Sequence, residues 1–366
     1  MIFYAFLGYM ILLSACTSPT IGPSEDYMIF DDVRYVKDFP IDITLSDAQD
    51  TGFDIIGLTS FQIIDSVLFA SCNTKDGFWQ FYSLEDGKLL GKMLNIGQGP
   101  NEFLMPIYDS NQYSIQKEND KLYAYIFSRG SVYRLDITET IVNEKLSMIL
   151  LSQDLSKSIL AFNTLNSNTF LCKEPIENRT KLNRYVQHNG EITIPEPLEK
   201  LNRAKISETD NLINMNILAT SLRRQKDYVL ETPIYLNYFN LYSLDGKLSL
   251  TICTDDKLQS ISSILEKPNE ERLYTFPGCK IFDKFFSVVS YKHTWQEWMN
   301  NIERKSQLQF FDWNGKPLAN IDLNRFVSAF DIDFTNGYLY VLTQREDEFV
   351  KYDIKDFLTK LNAVLK

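Results

Sequence analysis

The residues of this chain whose types and spacing could do chemistry are a pair of carboxylates and a small aromatic cluster. Asp331 and Asp333 alternate with apolar residues in Phe330-Asp331-Ile332-Asp333-Phe334. Side chains two apart on a strand share a face, and two carboxyl groups on one face can divide acid and base work at a glycosidic bond. The same spacing also suits a structural pair that orders water or caps a turn. Trp295 and Trp298 are three apart and would share a helix face. There they could form an aromatic platform for a sugar ring or a partner, or pack the segment against the body. His293 stands just before them, and the only other histidine, His188, sits beside the turn signal Asn189-Gly190, where it is expected in solvent. No G-x-S-x-G elbow occurs, so Ser-His-Asp chemistry has no support and no residue is assigned a catalytic role. Asp31-Asp32 and Asp255-Asp256 are adjacent and loop-like, which reads as solvated charge.

Two further sets of residues are expected to be structural. Cys72, Cys172, Cys253 and Cys279 lie in apolar, strand-like runs with no C-x-x-C spacing and no histidine pairing. Export would permit disulfides, but burial as free thiols is the expected outcome, with neither a metal site nor a cofactor implied. Gly97 and Gly99 are followed by no third glycine, no G-K-[ST] and no helix, so a phosphate loop is not indicated. They read as a turn needing positive φ, stiffened by Pro100, with Glu102 capping backbone amides.

The elements that must position these groups follow from composition and repetition. The 366 residues are 44% hydrophobic, 23% charged and 13% aromatic, with 25 Phe and 20 Tyr, a composition suited to half-buried strand surfaces. Net charge is −11 and no basic run occurs, which argues against nucleic acid as a partner. One unit recurs: a strand, a turn, then a second strand carrying an aromatic and often closing on Asp-Gly or Asn-Gly. The equivalent aromatics are Tyr82, Tyr133, Tyr185, Tyr242, Phe311 and Tyr352, separated by 51, 52, 57, 69 and 41 residues. Such dipeptides favour tight hairpins, because a type I′ turn needs positive φ at both central residues. Each is preceded by a partner strand, for example Val67-Leu68-Phe69-Ala70 and Tyr338-Leu339-Tyr340-Val341-Leu342.

A period of this length without crossover helices predicts an all-β fold, a six-bladed propeller of four-stranded antiparallel blades. The sixth unit has little chain left for an outer strand, and residues 354–366 read as a short amphipathic helix. The extended segment Val33–Leu45 is therefore expected to complete the last blade and close the ring. Residues 291–306 form an insertion inside the fifth hairpin, residues 196–226 read as a partly helical stretch before the fourth, and residues 258–265 as a short helical piece after it.

The N-terminus reads separately. Residues 1–13 are almost wholly apolar and stop at Ser14-Ala15-Cys16. The run is too short to span a bilayer of about 30 Å and fits the apolar region of a signal peptide. Leu13-Ser14-Ala15-Cys16 resembles a bacterial lipobox with Cys16 as the lipidated residue, although no Lys or Arg precedes the apolar run. Residues 17–26 are expected to be a flexible tether and residues 27–366 a single propeller.

The segment Gly97-Gln98-Gly99-Pro100-Asn101-Glu102-Phe103, after the first blade, resembles a marker of TolB-like six-bladed propeller lipoproteins of Bacteroidetes. With the lipobox and six repeats, the resemblance spans nearly the whole chain. It implies the propeller fold and an outer-membrane, cell-envelope location, and no particular activity. The expected role is a non-enzymatic binding or scaffold protein, monomeric and held to the membrane by its lipid, whose loop face recognises a protein, peptide or glycan. The alternative is a carbohydrate-active enzyme using Asp331 and Asp333.

Overall fold

The computed structural model describes residues 21–99, 101–107, 111–207, 212–300 and 305–365. Cys16 and the apolar run before it lie outside these residues, as do Pro100 and the Trp298 side chain.

Six four-stranded sheets form a ring, each a blade whose strands run from the axis outward. Blade one comprises Leu58–Ile64, Val67–Cys72, Trp79–Ser83 and Leu89–Met93. Blade two is Tyr113–Glu118, Lys121–Ser128, Ser131–Asp136 and Met148–Ser152, and blade three is Ala161–Asn166, Thr169–Ile176, Lys181–His188 and Glu191–Thr193. Blade four is Thr220–Gln225, Tyr228–Pro233, Tyr238–Ser243 and Ser249–Cys253. Blade five is Gly278–Ile281, Phe285–Ser290, Ser306–Asp312 and Pro317–Leu323. Blade six takes three strands from the C-terminal part, Ala329–Asp333, Tyr338–Thr343 and Glu348–Asp353. In every blade the repeating hairpin seen in the sequence is the second and third strand. These central strands are covered on both faces by neighbouring blades, which is why they carry the longest apolar and aromatic runs.

The ring closes through an N-terminal strand, but not the one expected. Gln49–Asp50 pairs antiparallel with Glu348–Asp353 and supplies the outer edge of blade six. The segment assigned to that role instead straps the two preceding blades. Asp32–Tyr35 adds a parallel fifth strand outside blade four, and Ile41–Leu45 does the same outside blade five. Each strap satisfies an exposed sheet edge, and alternation alone cannot say which of three edges a strand meets. The strap begins earlier than residue 27. The Lys205 amide donates to the Glu25 carbonyl, and the Asp26 carboxylate accepts from the Ser262 amide at 2.7 Å. Met28, Ile29 and Phe30 are fully buried in the core between blades three and four.

Two local expectations also change. Residues 220–225, read as part of a helical stretch, form the innermost strand of blade four; among the described residues before it, helix occupies Glu196–Leu201 and Leu212–Met215. The short helix after blade four is Ile261–Leu265, and a C-terminal helix, Lys355–Val364, buries Phe357 and Leu361 against blades five and six. Among the Asp-Gly and Asn-Gly signals, only Asn189-Gly190 has positive φ at both residues. At Asp86-Gly87 and Asp245-Gly246 only the glycine does, and the Asp side chain instead accepts a backbone amide two residues on. All four cysteines within the described residues are buried and free. Burial raises the thiol pKa of Cys72 and Cys253 to about 11, which keeps both thiols protonated and unreactive at neutral pH.

Candidate functional site

Antiparallel blades with parallel inner strands fix which loops share a face. Connections from the second to the third strand, and from each blade to the next, all emerge at the end where the inner strands begin. The described parts of the long connectors 94–112, 194–219 and 254–277 and of the insertion 291–305 therefore gather on one face, while the other carries mostly tight turns and the helix Ile137–Asn143 of blade two.

On that loop face the insertion is stapled down. His293–Thr294 pairs with Leu273–Tyr274 in a two-stranded sheet, and Thr294 caps the helix Trp295–Met299 through a reciprocal capping box with Glu297. This arrangement fixes the entry angle of a helix too short to be stable alone. Trp295 is 40% exposed, its ring 6.4 Å from that of Tyr274, which lies 5.0 Å from Tyr235. The three rings form a ladder from the interior to a half-exposed indole. His293 Nε2 lies 3.2 Å from the Lys305 carbonyl, so this histidine helps to hold the insertion. His188 sits at the opposite, turn-rich face beside Thr169 and Asn189.

The two candidate carboxylates are not a facing pair. Both are 2% exposed. Asp331 lies on the inner strand of blade six as expected. It pairs with Lys280 of blade five at 2.6 Å and accepts the Ile63 amide of blade one at 2.8 Å, tying three blades together. Asp333 turns into its own hairpin, accepting the amides of Thr335 and Asn336 and the Asn336 side chain. Neither residue lines the central cavity. Asp331 and Asp333 are therefore engaged in holding blades and a turn, a role the alternating pattern allowed equally.

The glycine motif behaves as a turn, for a different reason than backbone handedness. Neither Gly97 nor Gly99 has positive φ; Asn101 does. The Glu102 carboxylate folds back and accepts the Gly99 amide at 2.7 Å. A Cβ on Gly97 would lie 1.9 Å from that carboxylate, so a larger residue there would displace the Glu102 cap. Phe103 then inserts between Phe78 and Tyr133, anchoring the connector between blades one and two.

Two charged groups escaped the sequence reading. The first is buried between blades three and four, where Lys173, Arg184 and Glu231 are at most 1% exposed. Arg184 Nε donates to both Glu231 oxygens at 2.9 and 3.0 Å, and its Nη2 to Oε1 at 2.7 Å. Lys173 Nζ donates to the Thr220 carbonyl at 2.7 Å and reaches Glu231 at 3.3 Å; the Thr220 and Tyr242 hydroxyls complete the shell. Burial pushes the Glu231 carboxyl upward, but Arg184 and Lys173 outweigh it and hold it at about 2.

The second group lines the axis. A cavity of about 270 Å³ is bounded by the inner strands of all six blades and carries Arg223, Arg224 and Lys280, with no acidic residue in its lining. Arg223 donates to the Asn111 side chain at 3.1 Å. Arg224 donates to the Thr164 carbonyl at 3.1 Å, which also accepts from Gln116. The only signal for these arginines was their place directly before a hairpin, since Thr220-Ser221-Leu222-Arg223-Arg224 shows no apolar alternation and follows a polar stretch.

No family model matches the chain, and no curated protein matches it in sequence. Solved structures match over most of its length. A member of the DUF4221 family from Bacteroides vulgatus covers 81% of this chain and 94% of its own at 9% identity and TM-score 0.48. A putative exported protein from Bacteroides fragilis covers 87% and 97% at 8% identity and TM-score 0.46. Regucalcin from Agrobacterium tumefaciens, described as calcium-binding, covers 86% and 95% at 10% identity and TM-score 0.44. The class defined by the topology is the six-bladed β-propeller.

Proposed function

We propose that this chain is an extracytoplasmic binding propeller, anchored in the outer membrane through lipid on Cys16 and related to the TolB-like lipoproteins it resembles. It recognises a protein, peptide or glycan on its loop face and acts by holding that partner rather than by turnover. The observation that carries the reading is the ladder Tyr235–Tyr274–Trp295, which ends in a half-exposed indole on a capped, stapled helix. A rigid aromatic with few rotatable bonds loses little entropy on binding, and such residues dominate recognition surfaces. Asp331 and Asp333 favour no enzymatic reading, since both carboxylates have structural partners.

The test is a glycan and peptide array probed with the full chain and with Trp295→Ala, beside fractionation of cells expressing Cys16→Ala. We expect a discrete ligand whose signal drops at least tenfold in Trp295→Ala with the melting temperature unchanged, and release of the Cys16→Ala form from the membrane. Binding that is indifferent to Trp295 removes the loop-face reading. Membrane retention without Cys16 removes the anchor.

A further inference from the structure

The axial cavity has a chemistry unlike the rest of the molecule. The chain carries a net charge of −11, yet the lining of this cavity holds three cations and no acid. One of them, Lys280, is neutralised by Asp331. Arg224, on the inner strand of blade four, forms no salt bridge among the described residues. Its guanidinium donates to a backbone carbonyl, that of Thr164. Burial lowers its pKa from the ordinary arginine value, opposed only by the field of Asp227. Two hydroxyls at the cavity wall, Ser114 Oγ and Thr164 Oγ1, are buried without a hydrogen-bond partner, and Thr164 is 1% exposed. Buried polar groups are ordinarily satisfied, and an orphaned donor is destabilising. A half-buried guanidinium with no acid beside it at a cavity of about 270 Å³ fits an acceptor-rich anion, and rotation of the two hydroxyls would let them donate to it as well.

We propose that the axial cavity is a binding site for a small organic oxyanion, whose carboxylate or phosphate group is held by Arg224 with Thr164 and Ser114, and with Gln116 at its edge. The site is separate from the loop face and does not depend on what that face recognises. Arg223 contributes a positive field rather than a direct contact, because it already holds a protein partner, and Lys280 is offset by Asp331. Low dielectric within the ring strengthens the attraction relative to the surface. A partly buried arginine without a matching acid is unfavourable in the empty protein, and the occupant offsets that cost.

Isothermal titration of the purified full chain at low ionic strength tests this with succinate, citrate, glucuronate and inorganic phosphate, and with glucose as the neutral analogue of glucuronate. We expect at least one anion to saturate a single site and glucose to give no heat. Arg224→Gln is expected to weaken that anion at least tenfold without lowering the melting temperature, Thr164→Val to weaken it several-fold, and the surface control Lys226→Gln to leave it unchanged. Carboxylates binding without phosphate, or the reverse, decides the source of the oxyanion and supports the site either way. The proposal is overturned if no anion on the panel saturates, if glucose binds as well as glucuronate, or if neither Arg224→Gln nor Thr164→Val changes affinity. A fall of several degrees in the melting temperature of ligand-free Arg224→Gln would also overturn it, since the charge would then be structural.

Discussion

Blade four supplies residues to two charged regions that have opposite relations to their surroundings. Between blades three and four, Lys173, Arg184 and Glu231 are sealed from solvent, and every charged atom faces an opposite charge, a hydroxyl or a carbonyl. Along the axis, on the inner strand that pairs with the strand of Glu231, Arg224 faces a cavity whose lining holds no acid. The first arrangement is complete within the protein and gains nothing from a ligand. The second is incomplete, and its incompleteness is specific in sign and geometry. Buried charge by itself therefore does not mark a binding site in this fold; charge without its counterpart does.

The largest expected effect is at the sealed cluster. Glu231→Ala leaves two buried cations unpaired and should cost about 3–5 kcal/mol of stability, measured by chemical denaturation. A loss below about 1 kcal/mol would break the contrast. Acid should act on the same residue. The Glu231 carboxyl is depressed to about 2 in the folded chain against an ordinary 4.5, so the folded state binds fewer protons. Its contribution is full above about pH 4.5 and is lost as pH falls towards about 2. A melting temperature that declines through this window in the parent but less steeply in Glu231→Gln fits the assignment.

Intermediate effects are expected where the two regions meet in kind. Asp331→Asn removes the neutralising partner of Lys280 and weakens a three-blade junction, which should cost about 1–3 kcal/mol. It also leaves Lys280 unmatched at the cavity, so anion affinity should rise a few-fold in the same titration. Lost stability with lowered affinity would show that Lys280 does not act through its field. The smallest effect is at the axis itself. Arg224→Gln should change the stability of the ligand-free chain by less than about 0.5 kcal/mol, in contrast to any substitution within the sealed cluster.

Much of the architecture was legible because it is local. The second and third strands of each blade are consecutive, adjacent and apolar on both faces, so Tyr82, Tyr133, Tyr185, Tyr242, Phe311 and Tyr352 mark six hairpins without reference to the rest of the chain. The insertion at 291–305 and the C-terminal helix were visible for the same reason. The strap was legible only as an extended segment. Three edges were available to it, and the choice rested on side chains more than 200 residues away, such as Tyr238 and Thr251 receiving the amides of Met28 and Phe30.

The candidate sites divide along the same line. His293 and Trp295 lie where a helical, Trp-rich insertion would put them. Asp331 and Asp333 share a strand as their alternation implied, but whether a carboxylate meets solvent or Lys280 depends on a blade beginning some fifty residues earlier. Lys173, Arg184 and Glu231 look like isolated charges in apolar strands until the ring brings them together. The sequence by itself determined the six hairpins and the all-β class, because period-two patterning and turn residues act within a few neighbours. Only the tertiary structure decided where the strap closes, which charges are neutralised and which face a cavity. Electrostatic pairing acts through space, and in a closed ring the nearest charge is set by which blades are neighbours.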